Sequence, residues 1–111
     1  MTLSYKTFGD PHALSLILIH PFPFDSKLWG KVATELSNEY FVVTPDLPGC
    51  GESPAVNDAK PSMDFLADEI QKLVTTLGIT NPIIGGISLG GYVALAFMRL
   101  HPLAEIGRAH V

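Results

Sequence analysis

Apolar and polar positions alternate over Leu3-Ser4-Tyr5-Lys6-Thr7-Phe8, the period of a half-buried strand near a sheet edge. Gly9-Asp10-Pro11 then marks a turn. Leu14-Ser15-Leu16-Ile17-Leu18-Ile19 is almost continuously apolar, as a parallel strand covered on both faces must be. His20-Pro21-Phe22-Pro23-Phe24 ends it, because proline cannot donate to the ladder. Asp25 is a candidate N-cap for a helix reaching to about residue 38. Leu28, Val32 and Leu36 recur at helical spacing and are expected to face the core, with Trp29 flanking them as packing.

Phe41-Val42-Val43-Thr44 reads as the next strand. The loop Pro45-Asp46-Leu47-Pro48-Gly49-Cys50-Gly51-Glu52-Ser53-Pro54 is too rich in proline and glycine to be regular, and a polar connection follows it. Ser62 can cap a second helix that carries Asp64 in its first turn. Met63, Leu66, Ile70, Leu73, Val74 and Leu77 make its core stripe, and Gly78 suits its C-terminal stop. A strand over 82–87 comes next, then a helix from Leu89 to about His101 that is apolar nearly all round and is expected to be buried. The resulting alternation of strands and helices predicts an α/β fold with a mostly parallel sheet flanked by helices. Sites in such sheets lie beyond the carboxyl ends of the strands, where His20, Asp46 and Ser88 all fall.

Composition narrows the function. The 111 residues suffice for one small domain, and Lys+Arg of 7 against Asp+Glu of 11 gives a net charge of -4. No basic patch stands out, so neither nucleic acid nor an anionic membrane is an expected partner. No apolar run approaches the about 18 residues that span a bilayer, and residues 1–6 lack the layout of a secretory signal. Cys50 is the single cysteine, which excludes an internal disulfide and makes a cytoplasmic location the default.

The candidate chemistry centres on Gly86-Ile87-Ser88-Leu89-Gly90-Gly91. A serine between a strand and a helix sits on a sharp turn with positive φ expected, and side chains at positions 86 and 90 would strike the neighbouring backbone. The turn lifts the Ser88 hydroxyl clear of the sheet, and the helix starting at Leu89 aims unpaired N–H groups at the same spot. That combination makes Ser88 a candidate nucleophile. A P-loop would need a lysine after its glycines, and a dinucleotide fingerprint would need glycine at position 88.

Three motifs together resemble the α/β-hydrolase family: His20-Pro21-Phe22-Pro23, Asp46-Leu47-Pro48-Gly49-Cys50-Gly51-Glu52-Ser53, and the Gly86–Gly91 elbow. The similarity runs from about residue 3 to residue 104, and is to small bacterial esterases and lactonases, including 3-oxoadipate enol-lactonase-like and carrier-protein methyl-ester carboxylesterase-like enzymes. The resemblance implies a serine hydrolase acting on a small carboxylic ester or lactone, with no metal or organic cofactor. It implies that Ser88 is the nucleophile and that the backbone N–H groups of Leu89 and Phe22 form the oxyanion hole. His20 is expected to brace the oxyanion loop, and Asp46 with Ser53 to pin the Gly49/Gly51 loop. Cys50 is expected to be a free, inert thiol. The family usually has His-Gly where this chain has His20-Pro21; the donor position remains Phe22. Acyl transfer, or cofactor-free haloperoxidase or perhydrolase chemistry, would use the same elbow. Dehalogenase and epoxide-hydrolase relatives carry aspartate as nucleophile, which Ser88 disfavours.

The family's catalytic order is serine, then acid, then histidine. Only Glu105, His101 and His110 are available after Ser88, and His101 is expected about 20 Å away along its helix. The expectation is therefore that residues 1–105 are the N-terminal portion of a hydrolase domain whose acid, histidine and lid lie elsewhere, leaving the piece inactive. A non-catalytic, ligand-binding pseudo-hydrolase is the remaining alternative. The tail Ile106-Gly107-Arg108-Ala109-His110-Val111 resembles a translated sequencing adapter and is set aside from the fold as non-native. On that reading the strand at 82–87 becomes an unpaired sheet edge.

Overall fold

The computed structural model describes residues 2–55, 61–101 and 108–110, the last three by backbone alone. Its strands are β1 (Tyr5–Phe8), β2 (Leu14–Ile19), β3 (Tyr40–Pro45), β4 (Ile83–Gly86) and β5 (Arg108–His110). Its α-helices are α1 (Gly30–Leu36), entered through a 3-10 turn at Ser26–Trp29, α2 (Met63–Thr76) and α3 (Leu89–Leu100). The sheet order is β1-β3-β2-β4-β5. Only β1 is antiparallel, pairing Tyr5 with Pro45 at the edge, and the rest is parallel. An α/β architecture with a mostly parallel sheet is what the strand and helix alternation predicts.

Side-chain alternation assigns the two faces. Ile17, Ile19, Phe41, Val43 and Ile84 pack with Leu66, Ile70, Leu73, Val93 and Phe97 of α2 and α3. Leu18 and Val42 point the other way, onto Trp29 and Ala33. With helices on both faces, β2 is covered twice, which explains its unbroken apolar run. Chain direction in the sheet turns at β2: one connection leads out to β3, and the next crosses back to β4. The carboxyl ends of β2 and β4 are therefore the topological switch point where such sheets bind ligands.

The caps behave as their side chains dictate. Asp25 accepts from Lys27 N–H at 2.9 Å, and Ser62 accepts from Phe65 N–H at 3.0 Å. Gly78 supplies the left-handed residue after α2, with φ 67°.

Three expectations need correction. The first concerns α1, where Leu28 and Val32 are 43% and 45% exposed, while Trp29 and Ala33 are buried. The 3-10 turn winds with three residues per turn, which shifts the helical phase, and it delivers the large indole to the sheet instead. Second, α3 is not buried all round: Tyr92 and Leu95 share an outward stripe. Third, β4 is not an edge. Residues 108–110 run parallel to it, pairing Ile83 with Arg108 and Gly85 with His110. A bare strand offers a row of unpaired N–H and C=O groups, and the backbone of residues 108–110 pairs with this one. The expected catalytic-domain boundary at residue 105 lies outside the described residues.

The α1 correction has a direct check in chemical denaturation. Trp29→Ala is expected to cost about 3 kcal/mol, as for a buried aromatic, and Leu28→Ala no more than about 0.5 kcal/mol. Equal losses at the two positions would restore the original face.

Candidate active site

Ser88 occupies the N-cap position of α3, where serine ordinarily adopts extended backbone and hydrogen-bonds the first turn. Here it does neither. Its φ and ψ are 55° and -115°, and its side chain makes no capping bond. The hydroxyl is exposed and uncommitted.

Two glycines make that conformation possible. A Cβ on Gly86 would lie 2.6 Å from Gly91 N and closer still to the Gly90 carbonyl. A Cβ on Gly90 would lie 2.7 Å from the Ile19 carbonyl carbon and nearer to its oxygen. No side chain fits at either place. The turn is closed by Gly90 N–H to Ile87 O at 2.9 Å and Tyr92 N–H to Ser88 O at 3.1 Å. Ile87 N–H also donates to Ile19 O at 3.4 Å, tying the elbow to the end of β2.

Phe22 and Leu89 line one cavity of about 420 Å³. Its other walls come from the loop after β3 and the first turn of α2. Neither amide N–H of these two residues has an acceptor among the described residues. For Leu89 this follows from its place in the first helical turn. Phe22 follows Pro21 in a turn closed by Phe24 N–H to Pro21 O at 3.0 Å. Ser88 precedes Leu89 by one residue and is not itself a wall of the cavity.

His20 is fully buried behind this loop. Its Nε2 accepts from Leu47 N–H at 3.0 Å, so the proton resides on Nδ1, which donates to Pro21 O at 2.9 Å. One neutral imidazole thus joins the loop after β2 to the loop after β3. Cys50 also lines the cavity. Burial, with the charges of Asp46 and Asp25 adding to it, pushes its thiol pKa up, so it stays protonated at neutral pH.

Asp46 does not meet Ser88's cavity; it lies behind the loops, against Lys6, Ser26, Lys27 and Glu52. Its carboxylate accepts from Ser4 Oγ at 2.6 Å, Ser26 N–H at 2.8 Å and Glu52 N–H at 3.4 Å. Ser53 Oγ donates to the Asp46 carbonyl at 2.6 Å and receives Ser4 N–H at 2.9 Å. Gly51, with φ 51°, folds over the carboxylate so closely that a Cβ there would reach 2.5 Å from it. Burial alone would raise the Asp46 pKa, but the hydrogen bonds from Ser4, Ser26 and Glu52 prevail and hold it below the ordinary 3.8. Ser4 and Ser26 carry no sequence signal for this role, being ordinary serines far from position 46.

His101 ends α3, packs at a tilt against Phe97 and bonds Asp68 Oδ1 at 3.1 Å. Glu105 lies outside the described residues, as does the side chain of His110. Among the described residues no group of three or more His, Cys, Asp or Glu is placed to hold a metal ion. No described helix is long and apolar enough to cross a membrane.

Comparison with known proteins matches residues 15–104 to the family described as alpha/beta hydrolase fold. Pimeloyl-[acyl-carrier protein] methyl ester esterase of Aeromonas hydrophila is 30% identical over 102 residues, covering 92% of this chain and 38% of that protein. Fluoroacetate dehalogenase of a Burkholderia species is 35% identical over 92 residues, covering 79% of this chain and 30% of that one. Among solved structures, a thermophilic esterase from Thermogutta terrifontis superposes with a TM-score of 0.88 at 34% identity, covering 96% of this chain and 38% of the esterase. The chain spans well under half the length of each of these relatives.

The Asp46 network sets an acid-side stability profile. A depressed folded pKa means that its contribution is complete above the unfolded carboxylate value, about 3.9, and is lost as pH falls through the folded value. Asp46→Asn is expected to cost about 2 kcal/mol at pH 7, since hydrogen bonds to a charged acceptor are lost. The gap between the two proteins should begin to narrow below about pH 4, where the unfolded chain's carboxyl protonates, and close as pH falls through the lower folded value. Urea midpoints across that range measure it, and a gap that persists undiminished at pH 3 would reject the role.

Proposed function

Since the chain belongs to the alpha/beta hydrolase fold family, we propose that it carries the nucleophilic half of a serine hydrolase for carboxylic esters or lactones. In this reading Ser88 Oγ attacks the substrate carbonyl, and the negative charge that develops on its oxygen is held by the N–H groups of Leu89 and Phe22. Collapse expels the alcohol and leaves an acyl-enzyme, which water hydrolyses by the same steps. Each oxyanion donor is worth about 3 kcal/mol in the transition state. The substrate is a small molecule, and neither a metal nor an organic cofactor has a step in this chemistry.

The observation that carries the proposal is the Ser88 backbone. An N-cap serine that forgoes its cap at φ 55° leaves its hydroxyl exposed, one residue before the amide of Leu89, which shares a cavity with Phe22. Strain of this kind costs of order 1–3 kcal/mol and clusters where function needs it. The hydroxyl also favours the esterase relatives over the dehalogenases. Halide displacement through an enzyme ester needs a carboxylate nucleophile, which position 88 does not supply.

The proton acceptor is assigned to the remainder of a full-length parent. His20 uses both ring nitrogens on backbone groups, His101 is held by Asp68, and His12 by Asp10. The 111-residue chain alone is accordingly proposed to be inactive. Two measurements test this. In the full-length gene product, a fluorophosphonate should label Ser88, and Ser88→Ala should abolish labelling and lower ester hydrolysis by about 10⁴-fold or more. The 111-residue chain should hydrolyse a p-nitrophenyl ester no faster than its own Ser88→Ala variant. A full-length protein that ignores the probe would refute the assignment.

A further inference from the structure

We infer that the end of the sheet opposite Ser88 carries a second binding site, one for a small aliphatic ammonium ion. The site is built where β2 begins and where the chain leads into β4, and it draws nothing from the ester or lactone reading. The length of β2, Leu14 to Ile19, puts it roughly 17 Å from the carboxyl ends where the elbow sits.

The layer between the sheet and α2 stays open at this end. The cavity there holds about 530 Å³, more than the 420 Å³ of the cavity shared by Phe22 and Leu89, and within the usual small-molecule range of about 300–1,000 Å³. Ile19 and Ile17 form the row of β2 that packs in the α2 and α3 core, and Ser15 holds the next position of that row. Ser15 is 7% exposed and is a wall of the cavity. A buried hydroxyl thus stands where the row calls for an aliphatic side chain. Phe41 and Leu77 supply apolar surface beside it. The facing rim, residues 78–81, curls between two left-handed residues, Gly78 at φ 67° and Asn81 at φ 50°. Asparagine bears that conformation better than most side chains, and sparsely populated backbone of this kind recurs at ligand clamps.

Charge selects the ligand. Helix α2 ends at this cavity, with Leu77 and Gly78 among the walls. Asp64 complements the helix's positive pole in its first turn, but the last turn holds no basic residue, so the negative pole faces the cavity without a cation of its own. The N–H groups of Leu77, Gly78 and Ile79 bond the carbonyls of Leu73, Thr75 and Val74 at 3.0, 3.1 and 3.1 Å, which fixes the rim against the helix end. His12 is another wall, and its Nδ1 lies 3.2 Å from Asp10 Oδ1, which brings a carboxylate beside the cavity. Ser15, Thr80 and Asn81 offer hydroxyl and amide oxygens to N–H donors. An ammonium group answers both the field and the oxygens, and a short alkyl chain gains apolar contact with Leu14 and Leu77.

n-Butylammonium chloride and 1-butanol serve as probes, since they share a carbon chain and differ in charge. In amide NMR spectra of the 111-residue chain at neutral pH and fixed ionic strength, n-butylammonium should shift the signals of Ser15, Gly78 and Thr80 saturably and leave that of Ser88 in place. 1-Butanol should need at least about fivefold higher concentration for the same shifts. Thr80 is exposed, so its substitution tests charge without disturbing the core. Thr80→Lys should weaken n-butylammonium by at least about fivefold and leave 1-butanol unchanged, and Thr80→Glu should tighten n-butylammonium. Thermal shifts of the full-length gene product with the same probes and variants should rank in the same order, which removes any dependence on how the isolated chain folds. Equal response to both probes, shifts that sodium chloride alone reproduces, or a Thr80→Lys variant that binds n-butylammonium undiminished would each overturn the proposal.

Discussion

The junction between the end of β2 and the start of α3 has no room for a methyl group, and the rest of the structure is arranged around that fact. Gly90 lies against the Ile19 carbonyl, and Gly86 lies against the Gly90 backbone. Because the helix can approach that closely, the turn between β4 and α3 shrinks to Ile87 and Ser88. A turn that short forces Ser88 to positive φ, and positive φ takes the hydroxyl off the helix it would otherwise cap. The strain persists because three backbone hydrogen bonds and the packing of Val93, Ala94 and Phe97 over-determine the turn. Site geometry is therefore a consequence of packing at the sheet's switch point, not of anything at position 88 itself.

The facing loops are held by a different means. Loops rich in proline and glycine cannot satisfy their backbone through a ladder, so buried polar side chains do it for them. His20 spans from Pro21 O to Leu47 N–H, and Asp46 gathers Ser4, Ser26 and Glu52. Between them the N-terminus, the loop after β2 and the loop after β3 become one rigid wall. The N–H of Phe22 is positioned by that wall, whereas the N–H of Leu89 is positioned by the helix.

Features carried by neighbouring residues were legible in the sequence. The elbow needs two glycines flanking a serine between an apolar run and a helix, all within a few positions. The Ser62 cap, the α2 stripe and the doubly covered β2 are equally local. What could not be read depends on partners distant in the chain or on a shift of phase. A single 3-10 turn moved the buried face of α1 from Leu28 and Val32 to Trp29 and Ala33. Glu69 sits on the core side of α2 and is 3% exposed, its charge met by Lys72 Nζ at 2.7 Å, where the apolar stripe alone gave no hint of an acid. Asp46 was legible as a loop pin, but its partners Ser4 and Ser26 were not, because they are 42 and 20 positions away. The pairing of residues 108–110 with β4 joins positions 25 apart, which no local pattern announces.

The same hydrogen bonds that build the wall also divide the chemistry. A histidine can take a proton from serine only through a nitrogen with a free lone pair. His20 has given its single lone pair to Leu47 N–H, and its one proton is committed to Pro21 O. Releasing Nε2 for catalysis would unhook the two loops that define the cavity, so this residue cannot act as base without dismantling the site it supports. His101 is fixed at the far end of α3 by Asp68 and Phe97, a whole helix away from the elbow. In the proposed mechanism the amides of Phe22 and Leu89 and the N-terminus of α3 serve the exposed Ser88 hydroxyl. His12, His20 and His101, the histidines whose side chains are described, are engaged elsewhere. In that mechanism the general base approaches Ser88 from its solvent-facing side.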